Sequence, residues 1–121
     1  MRVFKFGGAS VKDADGIKNV YDVLQKVGYE DVLLVVSAMG KTTNALEEVI
    51  KNYFEKSEEL NSSVQEVKKY HNQILLDLFE DEKNEVFAAV NSLFSELEYF
   101  LAHNKSPNYN FVYDQIVSYG E

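Results

Sequence analysis

An α/β fold is predicted by three features that fall within the first 40 of 121 residues: a short β-rich segment, an amphipathic helix and a continuous apolar strand. Arg2 to Phe6 alternates, ends at Gly7-Gly8, and reads as a strand entering a tight turn. Ile17, Val20, Leu24 and Val27 then recur at helical spacing, with Asp13 placed to cap the start and Gly28 to end the helix in a left-handed C′ conformation. Asp31 to Ser37 contains Val-Leu-Leu-Val-Val, and such a run is expected to be covered on both faces, as in a parallel sheet. Together these segments make a βαβ unit with a right-handed crossover.

The remainder is helical by periodicity. Leu46, Val49, Ile50, Tyr53 and Phe54 form one stripe, with Asn44 and Glu47 as a capping box. Glu55 to Ser63 is a polar connection that ends in a second capping box, Ser62 with Gln65. Val64, Val67, His71, Ile74, Leu75, Leu78 and Phe79 share a face, as do Val86, Val90, Leu93, Leu97 and Phe100. These two stripes predict an antiparallel helical hairpin over about 62–104, turning at the charged bend Glu80–Asn84. Phe87, Phe94 and Leu101 lie beside the core face, open to ordinary packing or to a partner helix. Ser106-Pro107-Asn108 breaks the pattern, and a last helix is expected from about Asn110 to Tyr119. Two strands are few for a doubly covered sheet, so residues 1–121 are expected to be the truncated N-terminal part of one larger α/β domain.

Composition narrows the function. The absence of cysteine excludes disulfides, thiolate metal sites and a cysteine nucleophile, and it fits a reducing cytoplasm. The longest apolar run, Val32 to Val36, is far too short to span a membrane, and Met1-Arg2-Val3-Phe4-Lys5 lacks the apolar centre of a signal peptide. No membrane partner and a cytoplasmic location are therefore expected. The net charge of −8 lies wholly in residues 41–121, while residues 1–40 carry five basic and five acidic side chains. Such a surface argues against nucleic acid and leaves the neutral N-terminal segment for an anion to approach. Neither His71, on an apolar face, nor His103, near a helix C-terminus, belongs to a metal-ligand cluster, and no metal ligands are expected in the chain.

Three segments can carry chemistry. In Lys5-Phe6-Gly7-Gly8-Ala9-Ser10-Val11 a lysine ends a strand and two glycines follow; this is either a plain strand-ending turn or a phosphate cradle of cation and unshielded N–H groups. Ser37-Ala38-Met39-Gly40-Lys41-Thr42-Thr43-Asn44 follows the apolar strand, at the edge where open α/β sheets bind ligands. Its Gly40-Lys41-Thr42 is not a P-loop, because Val35 stands where the first glycine of that motif is required. Thr43 or Asn44 is either a helix cap there or a donor to a small ligand. The third segment is Asp114-Gln115-Ile116-Val117-Ser118-Tyr119-Gly120-Glu121.

The ordered set K-F-G-G-x-S-V, V-V-S-A-x-x-x-x-T-N and S-x-G-E resembles the aspartate kinases of the amino-acid kinase family, over residues 3–121, with residues 45–105 similar only in type. The resemblance implies the front of an αβα sandwich that transfers the γ-phosphoryl of Mg2+-bound ATP to the side-chain carboxylate of L-aspartate, in lysine, threonine and methionine biosynthesis. It implies Lys5 as the catalytic lysine at the phosphates and Gly7, Gly8 and Ala9 as the nucleotide loop, Ala9 standing where the family usually has threonine. Ser37, Thr43 and Glu121 are implied on the aspartate side, with Glu121 pairing the substrate ammonium and Thr43 hydrogen-bonding the amino acid. A homo-oligomer, an inactive isolated segment and a possible downstream fusion to homoserine dehydrogenase belong to the same expectation. The competing readings are a non-catalytic helical interaction module and a kinase of the same fold acting on another carboxylate.

Overall fold

A computed structural model describes residues 1–121. Strand β1 (Arg2–Phe6) leads through a 3₁₀ turn (Gly8–Val11) into α1 (Ala14–Val27), and β2 (Val32–Val36) follows. Four helices complete the chain: α2 (Thr42–Phe54), α3 (Leu60–Leu78), α4 (Glu85–His103) and α5 (Tyr109–Ser118). The two strands pair in parallel, Arg2 opposite Val32 through Phe6 opposite Val36. The α/β class, the βαβ unit and the hairpin are thus as expected.

Local chemistry accounts for most boundaries. Asp13 caps α1, its carboxylate accepting the Gly16 N–H at 2.8 Å. Asn84 and Asn108 cap α4 and α5 in the same manner, at 3.0 Å to Val86 and Phe111 respectively. Gly28 has the positive φ expected of it, +82°, but its ψ of 148° takes the chain directly into an extended approach to β2. Both expected capping boxes are absent. Helix α2 begins at Thr42 behind Lys41, ahead of Asn44 and without a side-chain cap. Helix α3 begins at Leu60, so Ser62 lies inside the first turn, where its hydroxyl donates to the Glu59 carbonyl at 2.9 Å. The α2 C-terminus turns on Lys56 at φ +53°, with Ser57 N–H donating to Asn52 and Lys56 N–H to Tyr53. That is a Schellman ending with lysine in the usual glycine position.

The core is helical. Its nine buried apolar residues all belong to α2–α5, led by Leu46, Val49, Ile50, Leu97, Val112 and Ile116, each 1 % exposed or less. Cross-contacts Lys68–Glu98, His71–Phe94 and Phe79–Phe87 run in opposite chain directions and define the antiparallel hairpin. On α4 the seam is rotated from the expected one: Phe94 is buried at 8 % exposure and Leu93 is 46 % exposed. A 19-residue helix lets one face turn gradually past its partner, and Val90, Phe94, Leu97 and Leu101 keep the 4-3-4 spacing that follows α2 and α3.

Neither face of β2 is covered within residues 1–121, as the expectation of a partial sheet requires. Leu33 to Val36 are 41–48 % exposed, because the helices pack on each other and only β1 pairs with β2. The apolar run that encodes a two-sided strand is left with both faces partly open.

The rotated seam makes a direct prediction. Leu97→Ala should lower unfolding free energy by about 2–5 kcal/mol, whereas Leu93→Ala should cost below about 1 kcal/mol. Equal losses in urea denaturation would mean that α4 uses the other face.

Candidate functional site

Parallel pairing sends both strands out of the sheet at the same edge. Ser37 N–H donates to the Phe6 carbonyl at 3.0 Å, so the loops beginning at Gly7 and Ser37 start side by side. Further along they touch again: Gly40 N–H donates to the Gly8 carbonyl at 2.9 Å. A Cβ on Gly8 would lie 2.6 Å from the Gly40 carbonyl oxygen and 3.0 Å from that of Ala38, both backbone atoms. Gly40 itself sits at φ +56°, and a Cβ there would meet the Tyr70 hydroxyl at 2.5 Å. The Tyr70 phenol donates to the Lys12 carbonyl, closing α3 over the junction of both loops. Burial, and then the nearby Asp13 charge, push the Tyr70 phenol above its usual 10.0.

The two glycines of the first loop therefore differ. Gly8 lacks a side chain because the second loop occupies that space. Gly7 has nothing within 4 Å of its Cβ position, and its N–H donates to no acceptor in the chain. Lys5 is exposed and takes part in neither of the chain's two ion pairs. An open N–H and an uncommitted lysine two residues before it at the strand end are suited to an anion. Ala9 lines a cleft of about 550 Å³ together with Lys12, Lys41 and Tyr70.

On the other side of the second loop lies a cavity of about 290 Å³. Ser37, Thr42, His71 and Glu121 supply its polar groups, and Leu46, Val67 and Phe94 contribute apolar wall. Thr42 is 2 % exposed and its hydroxyl donates to the Met39 carbonyl at 2.5 Å. Glu121 reaches this cavity because Gly120 lets the end of α5 press onto the start of α2: a Cβ on Gly120 would fall 2.7 Å from Leu46 Cδ1 and 3.0 Å from Thr42 Cγ2. Ser37 and Glu121 are thus brought together. Thr43, on the same helical turn as Thr42, lines neither cavity.

Sequence reasoning did not assign Thr42 or Tyr70 to the site, and it placed His71 on the apolar helix face without a partner. Adjacent hydroxyls at 42 and 43 cannot be ranked without the start of α2, and Tyr70 lies 58 residues from the Lys12 carbonyl it meets. No group of three or more metal-ligating side chains converges anywhere in the chain. Mg2+ carried by a nucleotide would take most of its ligands from the phosphates and water rather than from such a cluster.

A βαβ opening with a glycine loop at the carboxyl edge, followed by a helical subdomain that closes a polar cavity, defines the class, and the amino acid kinase family profile matches residues 1–121. The chain belongs to the amino acid kinase family. Within it, the chain is 50% identical over 44 residues to Aspartokinase 1, chloroplastic, of Arabidopsis thaliana, covering 36% of this chain and 8% of that protein. It is 32% identical over 100 residues to the Arabidopsis bifunctional aspartokinase/homoserine dehydrogenase 1, chloroplastic, covering 82% of this chain and 11% of the relative. Among solved structures, Escherichia coli aspartokinase III in complex with lysine and aspartate superposes with TM-score 0.78 at 26% identity, over 100% of this chain and 26% of that one. The R-state structure of the same enzyme, with aspartate and ADP, gives TM-score 0.73 at 24% identity over the same shares. The chain thus spans about a tenth of the curated relatives' length and about a quarter of the solved chains.

Two measurements follow from this geometry. Gly8→Ala should destabilise the protein by about 1–3 kcal/mol because its new methyl meets backbone that cannot step aside, while Gly7→Ala should be near neutral; similar melting shifts would contradict the loop contact. For Tyr70 the folded pKa is the higher one, so its contribution to stability is complete below pH about 10 and is lost as pH rises through the folded value. Alkaline denaturation should therefore lose more stability in the wild type than in Tyr70→Phe, and parallel profiles would exclude the phenol.

Proposed function

We propose that this chain forms the N-terminal segment of an aspartate kinase, which transfers the γ-phosphoryl of ATP to the side-chain carboxylate of L-aspartate. The observation that carries this reading is the pairing of two sites across one loop: an open glycine turn with a free lysine on one side, and a cavity holding Ser37, Thr42 and Glu121 on the other. The Escherichia coli enzyme bound to aspartate, 26% identical, supports the choice of amino acid. ATP supplies the phosphoryl group when bound. Lys5, the Gly7 N–H and the Gly8–Ala9 backbone would hold its phosphates, Mg2+ arriving with the nucleotide.

Each residue has a physical role in this reading. Lys5 neutralises negative charge on the transferring group. Glu121 offers a carboxylate to the substrate ammonium, and Ser37 and Thr42 offer hydroxyls to the rest of the amino acid. Thr43, expected from the aspartate-kinase resemblance to contact aspartate, would need to turn toward the cavity to do so, and Thr42 is the better placed of the two. The isolated 121 residues supply one side of the transfer and are proposed to be inactive. A role in lysine, threonine and methionine biosynthesis, a cytoplasmic location and a homo-oligomer complete the reading; the cysteine-free composition supports the location.

In the complete protein, Glu121→Gln should raise KM for aspartate about tenfold with KM for ATP little changed. Equal shifts for both substrates would remove Glu121 from the acceptor site. Lys5→Ala should instead lower kcat, by on the order of 10², because a cation that meets developing charge acts mainly in the transition state. An unchanged kcat would exclude that role.

A further inference from the structure

His71 is the one ionisable side chain on the hairpin that faces the acceptor cavity. It projects from the middle of α3 and packs edge-on between Tyr70, 5.3 Å away by ring centroids, and Phe94, 5.8 Å away. Its Nδ1 lies 2.8 Å from the Val67 carbonyl, one turn earlier in the same helix. A carbonyl oxygen can only accept, so Nδ1 carries a proton. In the neutral ring Nε2 is then an acceptor, and it faces the Thr42 hydroxyl at 3.4 Å.

Thr42 has one hydroxyl proton and two acceptors around it. That proton is shared in a three-centre hydrogen bond, with the Met39 carbonyl at 2.5 Å the nearer acceptor and Nε2 at 3.4 Å the farther one. The link Val67–His71–Thr42–Met39 therefore runs from the rigid middle of α3 through the first residue of α2 into the loop that separates the two candidate sites. No other hydrogen bond in the chain joins α3 to the first residue of α2.

We propose that His71 is a positioning residue for the acceptor site, acting through Thr42: the ring fixes the Thr42 hydroxyl from behind, and Thr42 in turn holds Met39 and the Ser37–Lys41 loop against Glu121. This rests on the aspartate-kinase reading for its kinetic consequence and on the hydrogen-bond chain alone for its structural one. His71 does not donate or accept a proton in the transfer. Its ring is a strut whose Nε2 edge matters and whose Nδ1 edge orients it.

The two edges can be separated by substitution. Asparagine places an amide near Nδ1 and stops short of Thr42, whereas glutamine extends one to the region of Nε2. In the complete protein, His71→Asn should raise KM for aspartate about threefold to tenfold, with KM for ATP unchanged, and His71→Gln should restore most of the loss. Thr42→Val should raise the same KM, and the double variant His71→Asn/Thr42→Val should be no worse than the more affected single variant, since both remove one link. Additive effects, equal effects of asparagine and glutamine, or a matching shift in KM for ATP would each overturn the proposal.

Amide hydrogen exchange supplies a readout that needs no turnover. Protection over residues 42–46, including the Ala45 N–H bonded to the Lys41 carbonyl, should fall in His71→Asn and be retained in His71→Gln. Loss of ring packing is common to both variants, so equal protection in the two would contradict a role through Nε2. If the wild-type protein does not phosphorylate aspartate, the function reading fails on its own, and the exchange comparison decides the positioning role.

Discussion

A single backbone contact, Gly40 N–H to the Gly8 carbonyl at 2.9 Å, holds the site together. Parallel strands bring two loops to one edge, but nothing in strand pairing makes those loops touch. Here the missing side chain of Gly8 lets the second loop lie directly upon the first, and the left-handed Gly40 turns that loop under the Tyr70 phenol. Each of these steps leaves no room for a methyl group. The open Gly7 N–H, the uncommitted Lys5 and the cavity that holds Glu121 take their relative positions from it.

Stability and function occupy different layers of this chain. The cluster of nine buried apolar residues belongs wholly to α2–α5, each of which contributes at least two, and around the sheet only Val11, Ala14 and Ala38 are buried. The sheet carries the carboxyl edge where the loops begin, yet β2 is more than two-fifths exposed along its apolar stretch. Hydrogen bonds to β1 on one side and to little else make the strand pair the less protected layer, in which local opening costs least. The ties that connect the layers are few: Tyr70 to Lys12, and the His71–Thr42 contact. Both come from consecutive residues of α3, on either side of the same loop, so that helix acts as the brace between the packed core and the site.

Much of this was legible from sequence for identifiable reasons. The βαβ unit, the Asp13 cap and the hairpin rest on local periodicity and on a capping carboxylate, and these are properties of short segments. The start of α2 was not legible, because it has no side-chain cap and the neighbouring Asn44 offered a false one. Thr43 came from the T-N position of the aspartate-kinase resemblance, which does not say which of the two adjacent hydroxyls faces the cavity. The end of α2 at Phe54 was legible from the polar stretch that begins at Glu55, although the left-handed residue that closes it is Lys56 rather than a glycine. Gly120 was visible as part of a motif, but its reason, the closeness of Leu46 and Thr42, is a contact across more than 70 residues. The burial of Phe94 in place of Leu93 reflects rotation of a long helix against its partners, which a repeating apolar pattern leaves open.

The central claim is that one loop, Ser37 to Lys41, separates a phosphate-binding turn from an acceptor cavity. A crystal structure of the complete protein with aspartate and ADP would test it most directly. The account predicts the amino acid in the cavity bounded by Ser37, Thr42 and Glu121, with its ammonium on the Glu121 carboxylate, and the nucleotide phosphates against Gly7 and Lys5 across the Gly8–Gly40 contact. Aspartate bound away from Glu121, or phosphates seated away from the Gly7 turn, would contradict it.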